Sequence, residues 1–149
     1  LNEEITEQTL KEILTANLPK ECQIISIVKI EKSALSIDRT VHWAEYKIRL
    51  PKNVLYDFED LKYNTDRVLS SEEIFIEKKN KKGLIKKVDI KPAIKSYRFE
   101  EDCLFIILKA GQMTDIPTLR ADVLMDKIYP NVAFDITRIK FFDEELREL

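Results

Sequence analysis

The order of helical and strand periodicities in this chain points to an α+β fold: ferredoxin-like α/β sandwich units sharing an antiparallel or mixed sheet, with helices on one face. Three features carry that expectation. Segments with a 3.6-residue apolar repeat alternate with segments of period two or with runs of β-branched residues. The strands fall in neighbouring pairs joined by short polar turns, as antiparallel pairing allows. The order reads α-β-β-α-β and then β-turn-β-β-α-β, and its first half is a β-α-β-β-α-β unit without its first strand.

Residues 6–18 (TEQTLKEILTANL) are expected to form a helix, because Leu10, Ile13, Leu14 and Asn17 share one face, Thr6 can cap and Pro19 stops it. Residues 23–31 (QIISIVKIE) have the composition of a strand. Residues 41–50 (VHWAEYKIRL) predict a second strand, with His42, Ala44, Tyr46, Ile48 and Leu50 on one face and Val41, Trp43, Glu45, Lys47 and Arg49 on the other. Leu55, Phe58, Leu61 and Tyr63 predict a helix over 53–69. Residues 73–79 and 84–88 read as a hairpin around Lys81-Lys82-Gly83, with Gly83 supplying a positive φ. Residues 89–95 contain Pro92 and can be at most a helical turn, which Asp89 is placed to cap. A further hairpin joins 97–99 to 103–110 across Glu101-Asp102, and CLFIILKA, apolar on both faces, predicts a central strand. A last helix over 117–129, with Ala121, Leu124, Met125 and Ile128 as its buried stripe, precedes a closing strand over 132–142.

A length of 149 residues bounds the chain to one domain, or two very small ones sharing a core. The expected division is an incomplete ferredoxin-like half over 1–79 and a second α+β half over 80–149 sharing that core. The chain starts at Leu1 rather than Met, which with the absent first strand predicts a domain cut from a longer protein. Apolar residues at 44% and charged residues at 35% fit a globular chain rather than a disordered one. No apolar run reaches the roughly 18 residues of a spanning helix, and no secretory leader is visible. The expectation is a cytoplasmic protein without membrane contact.

Two cysteines and one histidine are too few for a structural zinc site or an iron–sulfur cluster within one chain. Both Cys22 and Cys103 are expected buried and inert. Gly83 and Gly111 are the only glycines, so Rossmann and P-loop phosphate sites are excluded. His42, on the apolar face of its strand, is expected to be a hydrogen-bonded core residue rather than a catalytic base. The carboxylate clusters lie on helix faces and turns, without the local context that splits paired pKa values. No catalytic residue, metal or cofactor is expected.

The strongest feature is charge. From Lys78 to Arg98 there are nine basic residues and one acid, a balance of +8, which leaves 16 basic and 26 acidic residues elsewhere, a balance of −10. A finger carrying Lys78, Lys79, Lys81, Lys82, Lys86 and Lys87 suits a phosphate backbone, and Tyr97 and Phe99 nearby can stack an unpaired base. Lysine-rich hairpins also keep sheet edges from pairing with other chains, and a basic finger also suits an acidic protein surface. All three readings stay open on the residues alone.

Two stretches resemble a known family. ANLPKECQIISIVKIEKSALSIDRTVHWAEYKIRL carries a helix-ending Leu18-Pro19 turn, a Lys32-Ser33-Ala34-Leu35 loop and an Ala44-Glu45-Tyr46 strand. KKNKKGLIKKVDIKPAIKS matches a signature at Lys81, Lys82, Gly83, Asp89, Ile90, Pro92 and Ile94, with Lys91 where an Arg is usual. LKAGQMTDIPTLRADVLMD and TRIKFF continue the similarity, with Ala121 in place of a usual Pro. These are similar to the radical-SAM-linked bacterial proteins, a domain of unknown function found beside or fused to radical SAM enzymes. The resemblance runs over about 18–142 and lacks the family's N-terminal element, so it implies an N-terminally truncated member. The family's setting implies RNA or tRNA modification by association.

The resulting expectation is a non-catalytic accessory domain of a radical-SAM-associated protein. It would contact RNA, a tRNA for example, through Lys78, Lys79, Lys81, Lys82, Lys86, Lys87, Lys91 and Arg98, with Gly83, Asp89, Ile90 and Pro92 as structural residues. Its partners are then RNA and a radical SAM protein, and no DNA. The alternatives are a module docking an acidic surface of that enzyme, or an incomplete catalytic domain. The chain cannot be the radical SAM enzyme itself, which needs three cluster thiolates.

Overall fold

A computed structural model of the protein describes residues 5–52, 54–79, 82–111 and 115–149. The chain divides into two compact units, 1–35 and 36–149.

In the first unit, helix α1 (Glu7–Asn17) begins at Thr6, whose hydroxyl accepts the Thr9 N–H, and ends at Leu18 before Pro19. Residues 23–31 form neither helix nor strand, which corrects the expectation for that segment. β-branched composition favours extended backbone, but a strand also needs a neighbouring strand to take up its N–H and C=O groups. The described residues of this unit hold no other strand. Cys22, expected buried, is exposed in the turn that follows Pro19.

The second unit opens with a single-turn helix α2 (Ile37–Thr40) and then strand β1 (Trp43–Arg49). Helix α3 (Phe58–Leu69) follows, then strands β2 (Phe75–Lys79) and β3 (Ile85–Asp89) and a 3-10 turn Lys91–Ala93. Strands β4 (Ile94–Glu100) and β5 (Cys103–Lys109), helix α4 (Ala121–Ile128) and strand β6 (Asp135–Phe142) complete it. Four strands make an antiparallel sheet in the order β4-β5-β1-β6, and β2-β3 make a separate two-stranded sheet. Because β5 lies between β1 and β4, the path β1-α3-β4-β5-α4-β6 is a split β-α-β, the ferredoxin-like arrangement. The unit differs from the one expected: its first strand and helix are β1 and α3, not a missing strand followed by the helix over 6–18. One β-α-β-β-α-β unit therefore spans Trp43–Phe142, with the β2-β3 hairpin inserted, and strands from both sides of residue 79 share its sheet.

The register follows from alternation. Ala44, Tyr46 and Ile48 of β1 pair with Leu108, Ile106 and Leu104 of β5 on one face. Against them pack Leu61 and Leu69 of α3 and Leu124, Met125 and Ile128 of α4, joined by Ile74, Ile90 and Ala93. Each fully buried aliphatic side chain here contributes about 1.5–3 kcal/mol. β5 is central, as its two apolar faces predict.

Element ends differ from periodicity where tertiary or capping bonds intervene. α3 starts at Phe58, not near 53, because Asp57 and Asp60 form a reciprocal capping box. α4 starts at Ala121, not at 117, because the Leu119 N–H is taken by the Lys109 carbonyl at 2.9 Å, which keeps the chain extended through Arg120. β4 extends well beyond 97–99, since β5 offers it a full row of partners. The β4-β5 turn places both Glu101 (φ 50°) and Asp102 (φ 57°) in the left-handed region, as the tightest hairpins need.

Gly111 closes the β1-β5 end with its N–H on the His42 carbonyl, and a Cβ there would lie 1.9 Å from the Val41 carbonyl oxygen. Gly111→Ala must therefore move backbone. It is expected to lose about 2 kcal/mol of stability, read as a lowered midpoint in urea; an unchanged midpoint would show that the close approach is dispensable.

Candidate nucleic-acid interface

The hairpin owes its geometry to three local choices. Phe75 and Ile76 with Ile85 and Val88 supply β propensity, Gly83 adopts φ +81° at the turn, and the pairing sets Lys78 opposite Lys86 and Glu77 opposite Lys87. Alternation then puts Ile76, Lys78, Lys86 and Val88 on one face and Phe75, Glu77, Lys79, Ile85 and Lys87 on the other. Ile76 packs against the core. Lys78, Lys79, Lys82, Lys86 and Lys87 are all exposed. Lys78, Lys79, Lys86 and Lys87 form no ion pair with any described residue; Lys78 donates to the Thr118 carbonyl at 3.4 Å. Lys81 lies outside the described residues.

Asp89 holds the base of this hairpin. One carboxylate oxygen accepts the Ile74 N–H at 2.9 Å and the Lys91 N–H at 3.0 Å, while the Ile90 N–H bonds to the Ile74 carbonyl at 2.8 Å. Ile90 is fully buried and Pro92 sits in the first turn of the 3-10 segment. The Asp89, Ile90 and Pro92 positions are thus occupied in fixing the finger to the core.

Two of the expected phosphate ligands are placed elsewhere. The Lys91 ammonium donates to the Leu69 carbonyl, neutralising the last turn of α3. Arg98 lies on the sheet face opposite α3, paired with Glu45 and, at 3.4 Å, with Glu100. Tyr97 and Phe99, expected beside the lysines as a stacking surface, pack toward α3 instead. The Tyr97 hydroxyl donates to Asp66 at 2.8 Å, and Phe99 meets Phe58 and Tyr97 edge-on. Burial, then the Asp66 hydrogen bond, raises the Tyr97 pKa. Alternation decided this, because β4 pairs Tyr97 and Phe99 with the core residues Ile106 and Leu104.

Between the hairpin and α4 runs a cleft of about 920 Å³ lined by Phe75, Ile76, Glu77 and Lys87 on one side and Asp122, Val123, Asp126 and Lys127 on the other. Its three acids outnumber its two lysines, so it does not draw in phosphate. Two hydrogen bonds from Arg120, at 3.0 and 2.5 Å, hold the Asp122 carboxyl below its usual range.

The family model described as an uncharacterized protein conserved in bacteria (DUF2344) matches residues 1–121. The chain belongs to that family. No curated protein and no solved structure matches it. The matched part of this DUF2344 chain takes in the hairpin and β1 to β5 and stops as α4 begins. Among the described residues no helix is long and apolar enough to cross a membrane.

The DUF2344 sheet has a second feature that the sequence pattern did not expose. On the face opposite α3 and α4, β1 presents Trp43, Glu45 and Lys47, and β5 presents Phe105 and Lys109, with Trp43 across from Lys109 and Lys47 across from Phe105. Arg98 lies over the Phe105 ring at 4.5 Å and Lys47 at 5.4 Å; Lys109 and Lys95 lie over Trp43 at 5.0 and 5.4 Å. Lys95 reaches Trp43 from the irregularity between Ile94 and Ser96, where the β4-β5 register shifts. Lys109 is only 2% exposed, with His42 Nδ1 at 3.4 Å and no ion pair to a carboxylate of any described residue. Burial lowers its pKa. The signal in sequence was the alternation of VHWAEYKIRL, legible only once β5 was known to lie beside it.

Asp89→Ala is expected to cost about 2 kcal/mol, since two backbone N–H groups lose their acceptor. Amide exchange should accelerate first in β2 and β3, before the four-stranded sheet opens. Uniform acceleration across both sheets would assign Asp89 to global stability rather than to the hairpin base.

Proposed function

We propose that the β2-β3 hairpin is a phosphate-contacting finger and that the domain is a non-catalytic accessory to a radical-SAM-associated protein, presenting RNA to the partner enzyme. The observation that carries this reading is the direct cross-strand pairing of Lys78 with Lys86. Like charges placed opposite one another destabilise a ribbon, and guarding its two edges needs only scattered lysines. Five exposed lysines around one glycine exceed that need, and an anionic partner would relieve their repulsion. Lys87 lines the acidic cleft beside α4, and Lys78, Lys79, Lys82 and Lys86, which do not line it, are the contacting lysines in this reading. Lysines here supply attraction and orientation, and the partner supplies the chemistry.

Binding of labelled tRNA over a salt series tests this. The wild-type protein is expected to bind with log K falling linearly in log salt, by about 0.7 to 0.9 per phosphate neutralised. K78E/K79E/K86E/K87E should lose binding while keeping its urea midpoint within about 0.5 kcal/mol of wild type. Absence of wild-type binding at low salt would overturn the RNA assignment and turn attention to an acidic protein surface.

A further inference from the structure

We propose that the sheet face opposite α3 and α4 binds unpaired nucleotides of single-stranded RNA, with Trp43 and Phe105 as stacking surfaces and Lys95, Arg98 and Lys109 as phosphate ligands. This rests on the RNA reading above and adds a second, base-contacting site to it.

Three observations converge on that ligand. First, the two aromatic residues stand on the two central strands, β1 and β5, and on one face. The register separates them by four residues along the strand, about 14 Å, which suits bases a few nucleotides apart on one strand. Flat π-faces accept any unpaired base, which a duplex cannot offer.

Second, the Lys109 ammonium is 2% exposed and lies against His42 and the Trp43 ring, with no ion pair to any described residue and the charge of Glu144 acting on it from farther off. A buried cation without an ion-paired carboxylate is costly, and a phosphate brought in beside Trp43 adds a negative charge closer than Glu144. A ligand that joins a flat ring to an anion is a nucleotide.

Third, two of the cations over the rings stand at the surface. Lys95 is exposed at the register shift of β4, and the Arg98 side chain is half exposed, while its anchor Glu45 is 4% exposed. Both rings are 8% exposed under this cover. Rotation of exposed side chains is fast, so a base can replace an ammonium on the ring while the displaced cation takes the adjoining phosphate.

Trp43 is the only tryptophan, so its emission reports on this face alone. A short oligouridylate is titrated while Trp43 fluorescence and the anisotropy of a label on the RNA are both followed, with duplex RNA of equal length as comparison. Saturable quenching by the single strand is expected, with weaker binding of the duplex. Phe105→Leu and Lys109→Met should each raise Kd about tenfold. Lys109→Met replaces a nearly buried ammonium by an apolar side chain of similar length, so its urea midpoint should equal or exceed that of wild type, separating lost binding from lost folding. K78E/K79E/K86E/K87E should keep the quenching at higher RNA concentration. RNA binding by anisotropy with unchanged Trp43 emission, or quenching with wild-type affinity in both face variants, overturns this site and leaves the hairpin reading standing. No anisotropy change with any RNA overturns both.

Discussion

The pairing register between β1 and β5 is the constraint from which the rest of the domain follows. It sets Ala44, Tyr46 and Ile48 against Leu108, Ile106 and Leu104, and the same pleat sets Trp43 and Lys47 against Lys109 and Phe105. A slip of β1 by one residue would turn its outer set inward, sending Glu45 and Lys47 into the space filled by α3 and α4. Core and charged face are thus two consequences of one alignment. Gly111 and the His42 carbonyl clamp one end of it, and the Glu101-Asp102 turn holds β5 to β4 at the other.

Charge is handled in two physical regimes. On the β2-β3 hairpin, lysines stand in water, where salt screens them and their mutual repulsion is modest. On the sheet face, Lys109 and Glu45 are nearly buried and Arg98 and Lys47 lie on aromatic rings, so the same kind of charge is desolvated and held in a defined geometry. Long side chains laid over Trp43 and Phe105 cover apolar surface with their stems and keep their heads near solvent. The first arrangement carries a positive field into the solvent; the second holds its charges against fixed rings. Asp89 links the hairpin to the core, because its one oxygen serves both the residue that enters β2 and the residue that follows β3.

The lysine cluster, the Gly83 turn and the capping role of Asp89 were legible because each depends on residues a few positions apart. Residues 23–30 misled for the opposite reason: their composition favours extension, but nothing local states whether a neighbouring strand is present to pair with them. Tyr97 and Phe99 were close to the lysines in sequence, yet the pleat of β4 turned them toward α3. Trp43, Phe105 and Lys109 lie far apart along the chain, and no short-range pattern joins them.

Helix and strand periods, caps and turn chemistry come from side chains acting within about one helical turn of their own backbone, and these the amino-acid order settled unaided: α1 between Thr6 and Leu18, β1, the basic hairpin, the apolar stripe of α4. Long-range pairing settled the remainder. It inserted β5 between β1 and β4, completed a β-α-β-β-α-β unit over Trp43–Phe142, tied Lys91 to α3, and brought a buried lysine under a tryptophan 66 positions away. Such choices rest on which strand edge is free and which face is already filled, quantities that exist only when the whole sheet is assembled.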